Sequence, residues 1–229
     1  MKNKVLVVAA HPDDEVLGCG GTIAKHCENG DEVNVIILAE GLTSRDEKRN
    51  RNAKVKELNL LKKQSIEANK ILGVKDLKFF DFPDNRMDSV DLLDVVKVVE
   101  NCIKKFKSSI IYTHHSGDVN IDHRIIHDAV VAACRPIPNH SVKNLLFFEV
   151  ASSTEWQVNN SYSSFVPNWF VDISQTLDLK LKALEKYKSE MRDFPHARSL
   201  QALEYLAKWR GVSVGVAAAE SFMLGRKLV

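Results

Sequence analysis

The segment Ala10-His11-Pro12-Asp13-Asp14-Glu15 sets one imidazole and three consecutive carboxylates directly behind an apolar run that begins at Val5. Neighbouring carboxylates resist ionising together in a confined site, so this much negative charge calls for a positive partner. A metal cation is the first suspect. A second cluster, Asn120-Ile121-Asp122-His123, adds another acid and another imidazole. Together His11, Asp14 and His123 offer two imidazoles and one carboxylate, the mixed set of catalytic zinc sites, which keep a position open for water. Ferrous iron and cobalt suit the same donors. Asp122, next to His123, reads either as a group that orients an imidazole or as favourable charge at a helix start.

Residues more than a hundred positions apart meet only if the fold brings their loops to one place. Val5 to Ala9 is short, continuous and β-branched, the pattern of a strand buried on both faces. Similar runs at Val33 to Leu38, Leu77 to Phe80, Ser109 to Thr113 and Leu145 to Val150 alternate with helical patterns. These are Glu15 to Glu28, Glu47 to Leu72, Asp91 to Lys107 and Ile121 to Cys134. Such alternation predicts an α/β fold with a mostly parallel sheet covered on both faces, and right-handed crossovers then align the strand C-termini along one edge. That edge collects His11 to Asp14 after the first strand, Ser44 and Arg45 after the second, and Asp84, Asn85 and Arg86 after the third. His114 and His115 follow the fourth. Ligands bind beyond the carboxyl ends of strands in open α/β sheets.

Beyond Val150 the texture changes. Ser152 to Ser164 is polar and loop-like, Asn168 to Ile173 reads as a further strand, and helical patterns follow at Thr176 to Arg192 and Ser199 to Arg210. The 229 residues fit a single domain, 1–229, with 151–229 as an extension packed on the same core. A composition of 45% hydrophobic and 27% charged residues with net charge +2 is that of a globular protein without a broad electrostatic footprint for nucleic acid. No run approaches the roughly 20 apolar residues of a membrane span. Four scattered cysteines without a C-x-x-C pair point to reduced thiols and a cytoplasmic setting. The expected partner is a small molecule.

The Ala10 to Glu15 segment, Asn120-Ile121-Asp122-His123 and Ala219-Glu220-Ser221-Phe222 together resemble the LmbE-like, or PIG-L, deacetylase family over nearly the whole chain. The resemblance implies a Rossmann-like three-layer fold and zinc-dependent removal of the acetyl group from an N-acetylglucosamine-type sugar or sugar conjugate. It implies His11, Asp14 and His123 as metal ligands, Asp13 as general base, Asp84 as an acceptor for a sugar hydroxyl, and assembly into a homo-oligomer. One position departs from the family. Asn120 stands where several members carry a histidine, and an asparagine donates a hydrogen bond to an oxyanion but delivers no proton. His114 or His115 could supply that proton, or Asp13 could carry it to the leaving amine.

Plainer readings stand beside these. Asp is a good helix N-cap, so the first acidic cluster could simply cap the first helix. Asp84, Asn85 and Arg86 are turn formers by type. Arg45, Lys48, Arg49 and Arg51 form a basic run that could be a solvated helix face, although Arg45 stands where it could grip a hydroxyl or phosphate. Gly18, Gly20 and Gly21 miss the dinucleotide fingerprint and read as room for close packing. The other activities compatible with the residues are an amidase on a larger acyl conjugate, a metal-dependent phosphoesterase using the basic run, and a non-catalytic carbohydrate-binding module stabilised by a cation.

Overall fold

The computed structural model describes residues 2–158 and 164–229; of the stretch expected as a polar loop, residues 159–163 lie outside the described residues. Strand β1 (Lys4–Ala9) is central and fully wrapped. Val5, Val7 and Ala9 point into one apolar layer, and Leu6 and Val8 into the other. Each such buried Val or Leu contributes about 1.5–3 kcal/mol, which is why so short a run is a dependable strand. It pairs in parallel with β2 (Glu32–Ala39) on one side and β4 (Ile110–His114) on the other. β3 (Asp76–Phe82) and β5 (Asn144–Phe148) extend the parallel set outward.

Helices α1 (Asp14–Glu28), α2 (Val55–Leu72) and α5 (Leu177–Leu184) cover one face, contributing Leu17, Leu61 and Leu184 to its core. α3 (Leu92–Phe106) and α4 (Ile121–Ala133) cover the other through Val99 and Ile126. This is the three-layer α/β fold that the alternation predicts. The strand order β3-β2-β1-β4-β5 reverses direction between β1 and β4, which opens a crevice at their C-terminal ends.

The C-terminal part differs from expectation. Residues 219–227 form a strand, β7 (Ala219–Lys227), that sequence reading misses because Glu220, Gly225, Arg226 and Lys227 interrupt its apolar pattern. β7 lies between β5 and β6 (Trp169–Asp172), antiparallel to both, so this part of the chain adds two strands to the same seven-stranded sheet. α6 (Leu200–Val212), capped by Ser199, packs beside it.

Two expected helices are shorter. The pattern from Glu47 becomes α2 only at Val55, because Arg49 and Arg51 turn back to the buried Glu40 carboxylate at 2.7 and 2.6 Å. The pattern from Thr176 stops at Leu184, and the turns after it bring Tyr187 and Glu190 to the C-terminal edge. The glycines of α1 do provide close packing: a Cβ at Gly18 would stand 2.3 Å from the Phe148 ring. Helix α1 also breaks its helical backbone at Cys19, where φ is −148° and ψ is 28°.

Candidate active site

β1 ends at Ala9, and the turn that follows throws His11 and Asp14 into the crevice. Helix α4 begins on the far side and brings its first-turn His123. The ligand atoms of His11, Asp14 and His123 lie within 4.8 Å of one another. Asp14 Oδ2 sits 3.2 Å from His11 Nδ1 and 3.2 Å from His123 Nε2. All three are buried or nearly so, yet Asp14 Oδ1 has no hydrogen-bond partner, and neither ring nitrogen of His123 makes a well-formed hydrogen bond to the carboxylate 3.2 Å from it. Orphaned polar atoms that converge in this way fit a group that would sit among them, and two nitrogens with a carboxylate oxygen are the donor chemistry of a divalent cation.

The electrostatics carry the same message. Burial alone would lower the pKa of His123, but the Asp14 and Asp118 carboxylates outweigh it and raise it to about 9. His11 is likewise raised against burial, by Asp122, Asp14 and Asp84. Burial would raise Asp14, yet His123 and His11 hold it well below the usual carboxylate range. The acids of this cluster demand positive charge, which protons supply here and a cation supplies better.

The partners of the two imidazoles were only half legible. His123 Nδ1 faces Asp118 Oδ2 at 3.2 Å, so Asp118, not its neighbour Asp122, is the acid that orients that ring. Asp118 is itself fixed by the hydroxyls of Ser153 and Thr154. Asp122 instead accepts the backbone N–H groups of Asn85 and Met87 at 2.6 and 3.0 Å and meets His11 Nε2 at 3.0 Å. It thereby ties the loop after β3 to the first imidazole. Asp84 Oδ1 joins it 3.2 Å from the same nitrogen, and Ser44 N–H donates to Asp84 Oδ2 at 2.9 Å. Burial would raise Asp84, but the His11 hydrogen bond carries it down to about 2.

Asp13 occupies the N-cap position of α1 without capping it: its side chain makes no bond to the helix. Its Oδ2 accepts from Arg198 Nη1 at 2.9 Å instead. Burial pushes the Asp13 carboxyl well above its ordinary value, with Arg198 opposing that shift. The carboxylate is therefore free of the three-residue cluster while adjoining it. Asn120 does cap its helix, accepting the Asp122 N–H on Oδ1 at 2.9 Å, which leaves its amide N–H groups for the cavity it lines.

That cavity is walled by His11, Asp13, Ser44, Arg45, Asp84, Asn85, Asn120, Glu190 and Arg198. His114 is not part of the wall. It lies behind His123, stacked on it at 3.9 Å, and its Nε2 accepts the Ala10 N–H at 2.8 Å. Burial lowers its pKa well below the ordinary value, and the nitrogen that accepts the Ala10 N–H carries no proton of its own. Arg86 also turns away, donating to the Glu47 carbonyl at 3.0 Å. Arg45 reaches the cavity and is gripped by both Glu190 oxygens, at 2.8 and 3.0 Å. Arg49 and Arg51 are held by Glu40 and Asp81, so three of the four cations of the basic run, with Arg45, are paired with acids.

Sequence reading missed three contributors, Asp118, Glu190 and Arg198. Asp118 had a faint signal, five positions before His123 on the same loop. Arg198 had none, standing 185 positions from the carboxylate it meets.

Comparison with known proteins agrees with this picture. The family model described as PIG-L: GlcNAc-PI de-N-acetylase matches residues 6–134. A protein of Escherichia coli (strain K12) named as the deacetylase YaiS is 29% identical over 191 residues, covering 81% of this chain and 90% of that one. A probable N-acetyl-alpha-D-glucosaminyl L-malate deacetylase 2 of Bacillus cereus is 28% identical over 214 residues, 91% of this chain and 94% of that one. Among solved structures, GalB, the 4-carboxy-2-hydroxymuconate hydratase of Pseudomonas putida KT2440, superposes with a TM-score of 0.78 at 23% identity, covering 100% of this chain and 98% of that one. A hydratase shares the architecture, so the fold by itself does not choose the reaction.

Proposed function

The chain belongs to the PIG-L, GlcNAc-PI de-N-acetylase, family, and from that premise we propose that it is a cation-dependent hydrolase removing the N-acetyl group from an N-acetylglucosamine-type sugar or sugar conjugate. The observation that carries the reading is a carboxylate outside the cluster, Asp13, held by Arg198, beside His11, Asp14 and His123, of which Asp14 Oδ1 is buried without a partner. The name of the Bacillus cereus relative supports the sugar class.

His11, Asp14 and His123 would hold the cation, for which zinc is the leading candidate and ferrous iron or cobalt the alternatives. Such a cation supplies Lewis-acid polarisation of the amide carbonyl and acidifies water. Asp13 takes the proton of the attacking water on its carboxylate. As the carbon–oxygen bond forms and the carbon–nitrogen bond breaks, the same carboxyl returns that proton to the leaving nitrogen, giving acetate and a free amine. The Asn120 amide donates to the oxygen that gains charge. Asp84, Asn85 and Arg45 line the wall where sugar hydroxyls would bind. Four free cysteines suit a reducing, cytoplasmic setting. Among the described residues no helix is long and apolar enough to cross a membrane.

The test is a screen of N-acetylated sugars, sugar conjugates and nucleotide sugars with the zinc-loaded protein, following amine and acetate together. Equimolar release of the two is the expected result. Phosphate released without acetate would replace this reading with phosphoester hydrolysis.

A further inference from the structure

We propose that Arg198 is the positioning residue of the Asp13 carboxylate, holding it at the edge of the His11, Asp14 and His123 cluster and away from the cation those residues would bind. The proposal rests on the reading of Asp13 as the base.

Asp13 has φ 118° and ψ −31°, a backbone conformation that an L side chain rarely adopts. Such a conformation persists only where the surroundings over-determine it. Here the backbone is pinned from two directions. Its carbonyl accepts from Val16 and Leu17 N–H at 3.0 and 2.8 Å, and its N–H donates to Glu15 Oε2 at 3.1 Å. Glu15 is held in turn by the Asn69 amide at 2.7 Å and by the buried Tyr187 hydroxyl.

The side chain is a separate matter. Its hydrogen bond comes from Arg198 Nη1, and an unanchored carboxylate next to a cation site would rotate about χ1 toward the charge and become another ligand. A ligand carboxylate is a poor base. Arg198 is well placed to prevent this because it is itself anchored: Nε donates to Ser152 Oγ at 2.6 Å, and Glu190 Oε2 lies 3.8 Å from Nη1. The residue directly after it, Ser199, caps α6 through the Ala202 N–H at 3.0 Å. A planar guanidinium whose Nε is fixed on Ser152 aims its Nη1 at the carboxylate in a set direction, where a flexible ammonium would not.

The experiment compares Arg198→Met, Arg198→Lys, Asp13→Asn and the Asp13→Asn/Arg198→Met double variant, all zinc-loaded. Turnover is measured with the best N-acetyl sugar, and zinc affinity by competition with a chromophoric chelator. Arg198→Met is expected to lower kcat about 100-fold, as a misplaced catalytic group does, with KM little changed. Zinc binding tightens in the same variant as Asp13 joins the cluster. Added guanidinium ion at millimolar concentration restores part of kcat, and the double variant is no slower than Asp13→Asn alone. Arg198→Met with wild-type kcat and zinc affinity overturns the proposal. So does a double variant whose losses simply add. If Arg198→Met does not fold, Arg198→Lys decides: a lowered kcat at unchanged KM supports positioning by the guanidinium, and wild-type kcat overturns it. Full activity in Asp13→Asn would instead remove the base reading itself, a separately visible failure.

Discussion

Lys180 Nζ and Glu220 Oε1 lie 2.6 Å apart, both almost wholly buried, beneath the break in helix α1. Glu220 does more than pair. Its two oxygens accept the N–H groups of Gly21 and Thr22 at 3.0 and 2.7 Å, so the carboxylate from β7 caps the second half of α1. Lys180 donates as well to the Leu17 carbonyl at 2.8 Å, below the first half. Removing one member of a buried ion pair strands the other without compensation, at a cost of about 3–5 kcal/mol. Glu220→Ala is expected to cost more than Lys180→Met, because it also orphans two backbone donors. Urea unfolding of the two variants checks the order. Equal and small losses would show that the pair does not support the kink.

Asp118 orients His123, so its loss should be felt at the cation and not at the substrate. Asp118→Ala is expected to weaken cation binding about 10–100-fold, with kcat recovered at saturating metal. Chelator competition and a metal titration of activity measure the two quantities separately. Unchanged affinity would mean that Ser153 and Thr154 hold the ring's surroundings without the acid.

Asp13→Asn keeps the shape and removes the base. Turnover should fall by about 10²–10⁴-fold while the variant binds one equivalent of zinc as tightly as the parent protein or nearly so. Metal analysis alongside the kinetics separates a lost base from a lost ligand.

The pH dependence of cation binding follows from His123. Without the cation its pKa is raised to about 9 by Asp14 and Asp118 against burial. The sign for stability is that of a raised histidine: the contribution is complete below the unfolded value of about 6.5 and is lost as pH climbs through the folded one. A cation must displace that proton from the ring. Affinity should therefore tighten between pH 7 and 9, by up to about tenfold per unit for each proton released. Calorimetry in buffers of different ionisation enthalpy counts the protons, and binding without proton release would place the cation elsewhere.

Chelation should abolish turnover, and zinc, cobalt or ferrous iron added back should restore it. The stripped protein should also melt at a lower temperature, since a ligand that binds only the folded state stabilises it by mass action. Thermal scans before and after add-back show whether the cation contributes to the fold as well as to the chemistry.

Much of this architecture is legible in the chain because β1, β2 and β4 are short apolar runs buried on both faces, with β3 and β5 as apolar, partly buried runs beside them. β7 is not legible. It lies one place from the sheet edge, and its final residues Gly225, Arg226 and Lys227 carry no apolar period. The start of α2 failed for a different reason. The local pattern is helical, but the buried Glu40 draws Arg49 and Arg51 out of it, and tertiary charge pairing outweighs propensity. In the site, residues on the same sheet edge could be grouped from the sequence, as His11, Asp14 and His123 were. Arg198 and Glu190 could not, because nothing local to them anticipates a partner that only the folded C-terminal part brings near.

The place of β7 has a consequence for how the chain is made. β6 is synthesised before β7, but among the described residues its strand pairing is with β7 alone, so β6 cannot join the hydrogen-bonded sheet until β7 has threaded in beside β5. During elongation the flank of β5 is thus an open template for strand addition, a point at which a nascent polypeptide is vulnerable to a stray neighbour or dependent on a chaperone.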